Sequence, residues 1–222
     1  MAKRQLILND YRTAEDGLWT LASCKITKAA QVQTFLSVPG RYSPLDLSTA
    51  SSDGEPYYGN AALEAVLESS EGTREERQNR IQTMVNLLDG YSVVIIHPDH
   101  PDRYLVGRVQ INPEYNDPVH CAVRVSAICE PWLYNIAETM VDVTVTGTAQ
   151  TVELTNAGRL AVVPTIKVNA AEVTLVYGTI TQTLTTGGYQ LPDLYLTPGT
   201  HSIVISGTGR LAFLYREAVL AE

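Results

Sequence analysis

The sequence predicts a mainly β protein with one α-helix, arranged as two domains. Residues 73–89 form the single segment with clear helical periodicity. Several other segments alternate apolar and polar residues, as strands with one buried face do. After about residue 138 charged residues become sparse, Thr, Val, Gly and Leu dominate, and turn signals recur roughly every 8–12 residues, which is typical of antiparallel sheets.

The first predicted strand covers Leu18–Cys24, and loops rich in Ser, Asp, Gly and Pro follow it up to Pro56. Residues 60–69 are ambiguous. Their Ala, Leu and Glu favour a helix, whereas apolar residues at every second position from Ala61 to Leu67 fit a strand with one buried face. The residues alone leave both alternatives open.

The helix predicted over 73–89 has signals at both ends. Thr73 is a suitable N-cap, and Glu76, three positions later, completes a capping box. Gly90 lies where a left-handed residue commonly follows a helix. Four apolar residues at i, i+3, i+4 and i+7 should form one buried stripe: Ile81, Met84, Val85 and Leu88. The polar residues of the first turns are expected mostly on the solvent side: Arg74, Glu75, Arg77, Gln78 and Asn79.

Three strands are predicted after the helix. Tyr91–Ile96 is rich in consecutive apolar residues, so it should be a central strand buried on both faces, and Tyr104–Ile111 follows after a turn. Alternation from Val119 to Cys129 predicts a long strand with one buried face. Pro131 ends this strand, because proline cannot donate to the ladder.

The second half of the chain predicts about eight short strands, which indicates an antiparallel sandwich or jelly roll. The strands are Val141–Thr146, Thr151–Leu154, Val162–Val168, Glu172–Tyr177, Thr179–Thr185, Tyr189–Leu196, Ser202–Ser206 and Leu211–Arg216. Turn signals between them include Gly187-Gly188, Pro198-Gly199 and Gly207-Thr208-Gly209. The expected organisation is an N-terminal domain over 1–132, a linker over 133–140 and a C-terminal domain over 141–222.

Charge and cysteine content exclude several classes of protein. The chain has 222 residues, a formal net charge of −8 and a pI near 5.0, so tight binding to nucleic acid or to anionic membranes is not expected. No apolar run approaches a signal-peptide core or a membrane span, and we expect folding in a cytosol. Cys121 and Cys129 would lie about 26 Å apart on one strand, beyond disulfide reach. All three cysteines, Cys24 included, are expected to be buried free thiols.

No segment predicts a catalytic, cofactor or metal site. Four residues of one short loop are of types that bind zinc, but its two prolines and the lack of further ligands favour an ordinary turn; they are His97, Asp99, His100 and Asp102. Glu64 and Glu68 are expected to form a solvated acidic face rather than an acid–base pair. We therefore predict a protein that is not an enzyme.

The aromatic residues could form a sugar-binding platform or pack in the core and at strand edges. Both tryptophans, Trp19 and Trp132, fall outside the C-terminal domain. Its aromatic residues lie on predicted strands, where core or edge packing is the usual role: Tyr177, Tyr189, Tyr195, Phe213 and Tyr215. We expect no measurable binding or hydrolysis of sugars.

Several short motifs occur in an informative order. The first domain contains Tyr58-Gly59-Asn60, Leu87-Leu88-Asp89-Gly90, the run from Asp102 to Val109, and Cys129-Glu130-Pro131-Trp132. The second contains Asn156-Ala157-Gly158, the run from Pro164 to Val168, the run from Leu196 to Ile203, and Leu211 to Glu217. In this order they resemble the distal tail protein family of siphophages, the bacteriophages with long non-contractile tails. The resemblance covers most of 45–222, while 1–44 match poorly.

The resemblance implies a fold and a structural role. In that family the N-terminal domain is a β-sandwich with one helix, and the C-terminal domain is a galectin-like antiparallel β-sandwich. Six copies form a ring that joins the tail tube to the tip or baseplate, and DNA passes through without tight binding. The implied partners are a homo-hexamer, the tail tube protein and tail-tip or receptor-binding proteins, in a virion assembled from protein made in the host bacterial cytoplasm. The resemblance also makes 60–69 a strand.

The alternative function is a carbohydrate-binding accessory protein with a β-sandwich module. The sequence favours the structural role, because the helix-bearing half is too elaborate for a linker and the sandwich lacks tryptophan.

Overall fold

A computed structural model describes residues 4–49 and 56–222. Over these residues the chain is mainly β, with several antiparallel sheets and one helix, as predicted. It divides into two compact units, Met1–Leu133 with Leu220–Glu222 (unit 1) and Tyr134–Val219 (unit 2). Strand residues occupy both ends of the expected linker over 133–140, and the last three residues return to unit 1. No helix of the described residues is long and apolar enough to cross a membrane.

Unit 1 is built on one large sheet with a helix against it. Its elements are β1 (Ile7–Leu8), β2 (Tyr11–Arg12), β3 (Thr20–Thr27), β4 (Phe35–Leu36), β5 (Leu45–Asp46), β6 (Ala61–Ser69), α1 (Arg74–Leu88), β7 (Ser92–Ile96), β8 (Arg103–Asn116), β9 (Cys121–Cys129) and β10 (Trp132–Asn135). The main strand order is β2-β1-β7-β8-β9-β6-β3, and β4 and β5 form a separate hairpin. Helix α1 packs against β8.

The ambiguous segment is a strand. β6 lies between β3 and β9 and pairs antiparallel with both. Its alternate residues Ala61, Leu63, Ala65 and Leu67 are at most 1% exposed, as the strand alternative required. Two ladders and a buried face therefore outweigh the helical propensity of these residues.

The helix has the predicted ends, and its buried stripe is the predicted one extended by one residue. Thr73 and Glu76 form the capping box, and Gly90 has φ +76°. Ile81, Met84 and Leu88 are buried, and Val85 is half-buried. Arg77, expected on the solvent side, is only 1% exposed. It lies four residues before Ile81, so the helical period places it on the apolar stripe.

The other face of the sheet is open, which corrects the expectation for Tyr91–Ile96. Val93 and Ile95 are buried, but Val94 is 39% exposed. β7 is therefore covered on one face only. The strand predicted from Val119 begins at Cys121, since Val119 is 69% exposed. The hairpin of β1 and β2 was not predicted.

Unit 2 contains fewer and longer strands than predicted. They are β11 (Thr139–Asn156), β12 (Thr165–Tyr177), β13 (Ile180–Leu184), β14 (Gly187–Gln190) and β15 (Gly199–Tyr215), followed by β16 (Ala218–Leu220). The sheet order is β11-β15-β12-β13, and β14 also pairs with β12. β10 and β16 pair with each other, where the chain leaves and re-enters unit 1. The predicted number of eight strands is wrong, because β11, β12 and β15 each join two predicted strands into one continuous strand.

Irregularities in the ladders occupy three of the gaps between predicted strands, and one of these gaps, at 207–209, was predicted as a turn. The register shifts between Gly147 and Gln150 in β11 and between Ala170 and Val173 in β12. Gly207 and Gly209 of β15 have φ of +115° and +150° at the same level. Both halves of the bent strands contribute to one buried cluster, which includes Val143, Val145, Leu154, Ile166, Leu175, Ile203 and Phe213. The sheet therefore folds over a core shared by its two halves.

Candidate assembly surfaces

The loop weighed as a metal site is engaged in other contacts. His97 is 5% exposed, and its Nδ1 accepts a hydrogen bond from the Asp99 backbone N–H at 3.2 Å. The Asp99 carboxylate accepts two from Arg4 at 2.8 and 3.0 Å. Burial lowers the pKa of His97 below its ordinary value, which favours the neutral ring. No group of three or more His, Cys, Asp or Glu in the described residues could hold a metal; His100 and Asp102 complete a turn.

The two glutamates weighed as an acid–base pair lie on β6, both exposed and four residues apart. Strand geometry separates them by about 13 Å, beyond the carboxylate spacings of glycosidases. Glu64 stands opposite Lys25 and Ser126 in the ladders, so it belongs to a mixed polar row. This pair has no geometry for glycoside hydrolysis.

The three cysteines are free thiols, as predicted. Cys121 and Cys129 are buried, whereas Cys24 on the edge strand β3 is only half-buried, contrary to expectation. Desolvation raises the pKa of Cys24 and of Cys129 to about 11. Thiols with such a pKa are almost wholly protonated at neutral pH, which disfavours a nucleophilic role.

Most aromatic residues weighed for sugar binding are packed. Trp19 is 2% exposed and donates through Nε1 to the Tyr11 hydroxyl at 3.1 Å. Trp132 makes an edge contact with Tyr58, with ring centroids 5.9 Å apart. In unit 2, Phe213 and Tyr215 are buried, Tyr177 and Tyr189 are half-buried, and Tyr195 is 52% exposed. One exposed tyrosine does not make an aromatic platform.

Arg77 stabilises the fold through buried hydrogen bonds that the sequence did not predict. It donates to the backbone carbonyls of Gly72 at 2.6 Å and of Asp117 at 2.8 Å. The Asp117 carboxylate in turn accepts from the backbone N–H groups of Val119 and His120. These contacts lower the pKa of Asp117. The guanidinium thus ties the start of α1 to the turn between β8 and β9.

The open face of the unit 1 sheet is the first candidate assembly surface. A cavity of about 620 Å³ lies along it, between β6, β7, β8 and β9. In the ladders Ser92 pairs with Arg108, Arg108 with Ile128, and Ile128 with Ala62. Ile128 is 63% exposed although it lies in the middle of the sheet. Such a concave face with an exposed aliphatic centre and charges of both signs resembles a protein-contact surface.

The second candidate surface is the segment 31–49, here called the arm. It contains β4 and β5, and its base is fixed by hydrogen bonds from the backbone N–H of Val32 to Tyr57 and of Gly59 to Ala30, at 2.8 and 2.9 Å. Five of its apolar side chains are between 37% and 110% exposed: Val32, Phe35, Leu36, Val38 and Tyr42. An isolated hairpin is marginally stable in water, so exposed apolar residues on one indicate a surface that another molecule covers. The sequence signal was an almost uncharged apolar run between loops.

Comparison with known proteins gives a fold match and no sequence match. No protein-family model matches the chain, and no curated protein does. Among solved structures, the chain is similar to the Dit protein (gp 19.1) of phage SPP1, described as a paradigm of the hub adsorption apparatus in phages that infect Gram-positive bacteria. The TM-score is 0.70 at 15% identity, covering 99% of this chain and 100% of that protein. The likeness extends over both units.

Proposed function

We propose that this protein is a structural hub of a phage tail tip, in which six copies form a ring that joins the tail tube to the tip or baseplate. The observation that supports this most is the full-length fold likeness to a hub protein of a phage adsorption apparatus. The order of motifs along the chain points to the same class of protein.

Unit 1 is the proposed ring former. A cyclic ring needs two different surfaces on each copy, one for each neighbour. The arm and the open face are two such unlike surfaces within unit 1: the arm exposes Phe35 and Leu36, and the open face offers a concavity around Ile128. Arm contacts between neighbouring copies would bury side chains that a single copy leaves in water.

DNA passage through the ring is consistent with the charge of the chain. The formal net charge of −8 disfavours contacts that release counterions from a phosphate backbone. An acidic ring would let duplex DNA slide without tight binding. The proposed partners are the tail tube protein and the tail-tip or receptor-binding proteins, in the virion, and the protein acts without a cofactor and without catalysis.

Measuring the mass in solution tests this proposal. Light scattering over a concentration range, alone and with the tail tube protein, should give six times 24.3 kDa in at least one condition. The double variant Phe35→Ser, Leu36→Ser should shift the population toward the monomer. Val119→Ser, which removes an equally exposed apolar side chain away from the arm, should leave the mass unchanged. A strict monomer under all conditions, or tight binding to duplex DNA at physiological salt, would contradict the proposal.

A further inference from the structure

The longest edge strand of the molecule lies in unit 2. β11 has 18 residues and ends the sheet order β11-β15-β12-β13, so within the described residues it pairs with β15 alone. Its other edge presents a row of backbone N–H and C=O groups. One carbonyl of this strand, that of Thr144, already accepts a hydrogen bond, from the side chain of Gln150 at 3.1 Å. A row of this length is a template for pairing with another strand.

The other described edges are short or contain a charged residue in their middle. β2, β13 and β14 have 2, 5 and 4 residues. β3 has 8, with a register shift and Lys25 within it. These are the devices by which proteins protect sheet edges from unwanted pairing. In β11, by contrast, the ten residues 143–152 contain no charge and no proline, and protection is limited to one irregularity and the Gln150 side chain on the Thr144 carbonyl.

Charge distinguishes between the possible occupants of this edge. The uncharged stretch is bounded by Asp142 on one side and Glu153 on the other. If two copies paired antiparallel through the whole stretch, Asp142 of one would stand opposite Glu153 of the other, twice. Like charges directly opposite each other destabilise a ladder. A second copy is therefore disfavoured, and a strand with basic residues near these carboxylates is favoured.

From these observations we propose that the free edge of β11 is a docking site for an extended segment of another protein, which adds a strand beside β11 and places a Lys or Arg next to Asp142 or Glu153. Backbone hydrogen bonds supply the affinity, and the two carboxylates select basic segments over acidic ones. The site lies wholly in unit 2 and does not require a ring.

A pair of model peptides tests the proposal on the full-length protein. The first is an acetylated, amidated peptide of alternating valine and threonine with a lysine at each end, and the second has glutamates in place of the lysines. Fluorescence anisotropy should show saturable binding of the lysine peptide and binding about tenfold weaker, or less, for the glutamate peptide. Asp142→Lys should abolish this preference, because the site then carries one positive and one negative end. Asp193→Lys makes the same charge change at an exposed residue outside the strands of unit 2 and should preserve it.

A backbone-blocked peptide keeps the test valid if a protein variant fails to fold. N-methylation of every residue between the two lysines removes the ladder donors on both edges of the peptide, so its binding should be lost. Hydrogen exchange should show protection by the unmodified peptide at 142–146. Equal binding of the methylated peptide, or protection elsewhere, would overturn the proposal. Self-association of the protein that is abolished by Thr144→Pro would also overturn the proposal, because it would mean that a second copy occupies the edge.

Discussion

Truncation of Leu88 is the sharpest test of how unit 1 is held together. Leu88 is 3% exposed on the buried stripe of α1, whereas its neighbour Leu87 is 57% exposed. The same Leu→Ala change can thus be made at adjacent residues that differ mainly in burial.

The expected magnitudes follow from burial. Removing about three buried carbon groups at Leu88 costs about 2.4 kcal/mol of transfer free energy, and an unfilled cavity raises the total to about 2–5 kcal/mol. At Leu87 less than half of the side chain is covered, so the cost should be about 1 kcal/mol or less. The difference between the two variants should therefore be at least about 1 kcal/mol.

Tryptophan emission provides the assay. The chain has two tryptophans, Trp19 and Trp132, and both lie in unit 1. Guanidinium unfolding followed by this emission therefore reports on unit 1. Leu88→Ala should lower the midpoint clearly at an unchanged slope, and Leu87→Ala should lower it slightly. Equal midpoints for the two variants would refute the burial of the helix stripe.

Three further outcomes are expected. Burial lowers the pKa of His97, so as pH falls the imidazole takes up a proton in the unfolded chain before it does so in the folded one. Unit 1 should therefore lose stability from about pH 6.5 downward. In urea unfolding, the midpoint of His97→Gln should fall less over this pH range than the midpoint of the parent protein. Gly207→Ala should destabilise unit 2 by roughly 1–3 kcal/mol or more, because Gly207 has φ +115° and an added Cβ would meet the Glu172 carbonyl at 2.6 Å. Gly188→Ala is the control and should not destabilise the unit, since there is open space around Gly188. Thermal unfolding followed by circular dichroism measures both variants. A fragment spanning 134–219 should be soluble and unfold cooperatively, whereas a disordered circular dichroism spectrum would contradict its independence.

Local signals predicted the helix well, because its determinants are local. The capping box needs Thr73 and Glu76 only, and Gly90 needs no partner to adopt a positive φ. The burial of Arg77 was predictable in principle, since it shares the helical face of Ile81. Residue type suggested solvent, but two backbone carbonyls make the buried guanidinium tolerable.

Properties that depend on distant segments could not be predicted. Propensity and alternation disagreed over 60–69. The family resemblance implied a strand there, but the physical reason for it is the pairing with β3 and β9. Gly207-Thr208-Gly209 has the composition of a turn, yet neighbouring strands on both sides continue past it and make it an irregularity within β15. The consecutive apolar residues of Tyr91–Ile96 do not reveal that one sheet face stays open, because that depends on what covers the sheet.

The candidate assembly surfaces show the same limit. The metal, acid–base and sugar candidates were weighed from residue types, and geometry separates or packs most of them. The arm and the edge of β11 stand out because no other described segment covers them. No short motif of a single sequence encodes such an absence of contacts. The absence of charged residues over 31–38 and 143–152 is the feature they share.

Unit 2 begins and ends at neighbouring positions. Thr139 at the start of β11 is paired with Tyr215 at the end of β15, so the chain enters and leaves this unit within one strand spacing. A unit attached through two adjacent points behaves as an exchangeable cassette, since a longer, shorter or unrelated insert with close ends can take its place. Such an exchange would leave the strand order and the helix of unit 1 unchanged. Evolution can therefore diversify unit 2 while the fold of unit 1 stays the same.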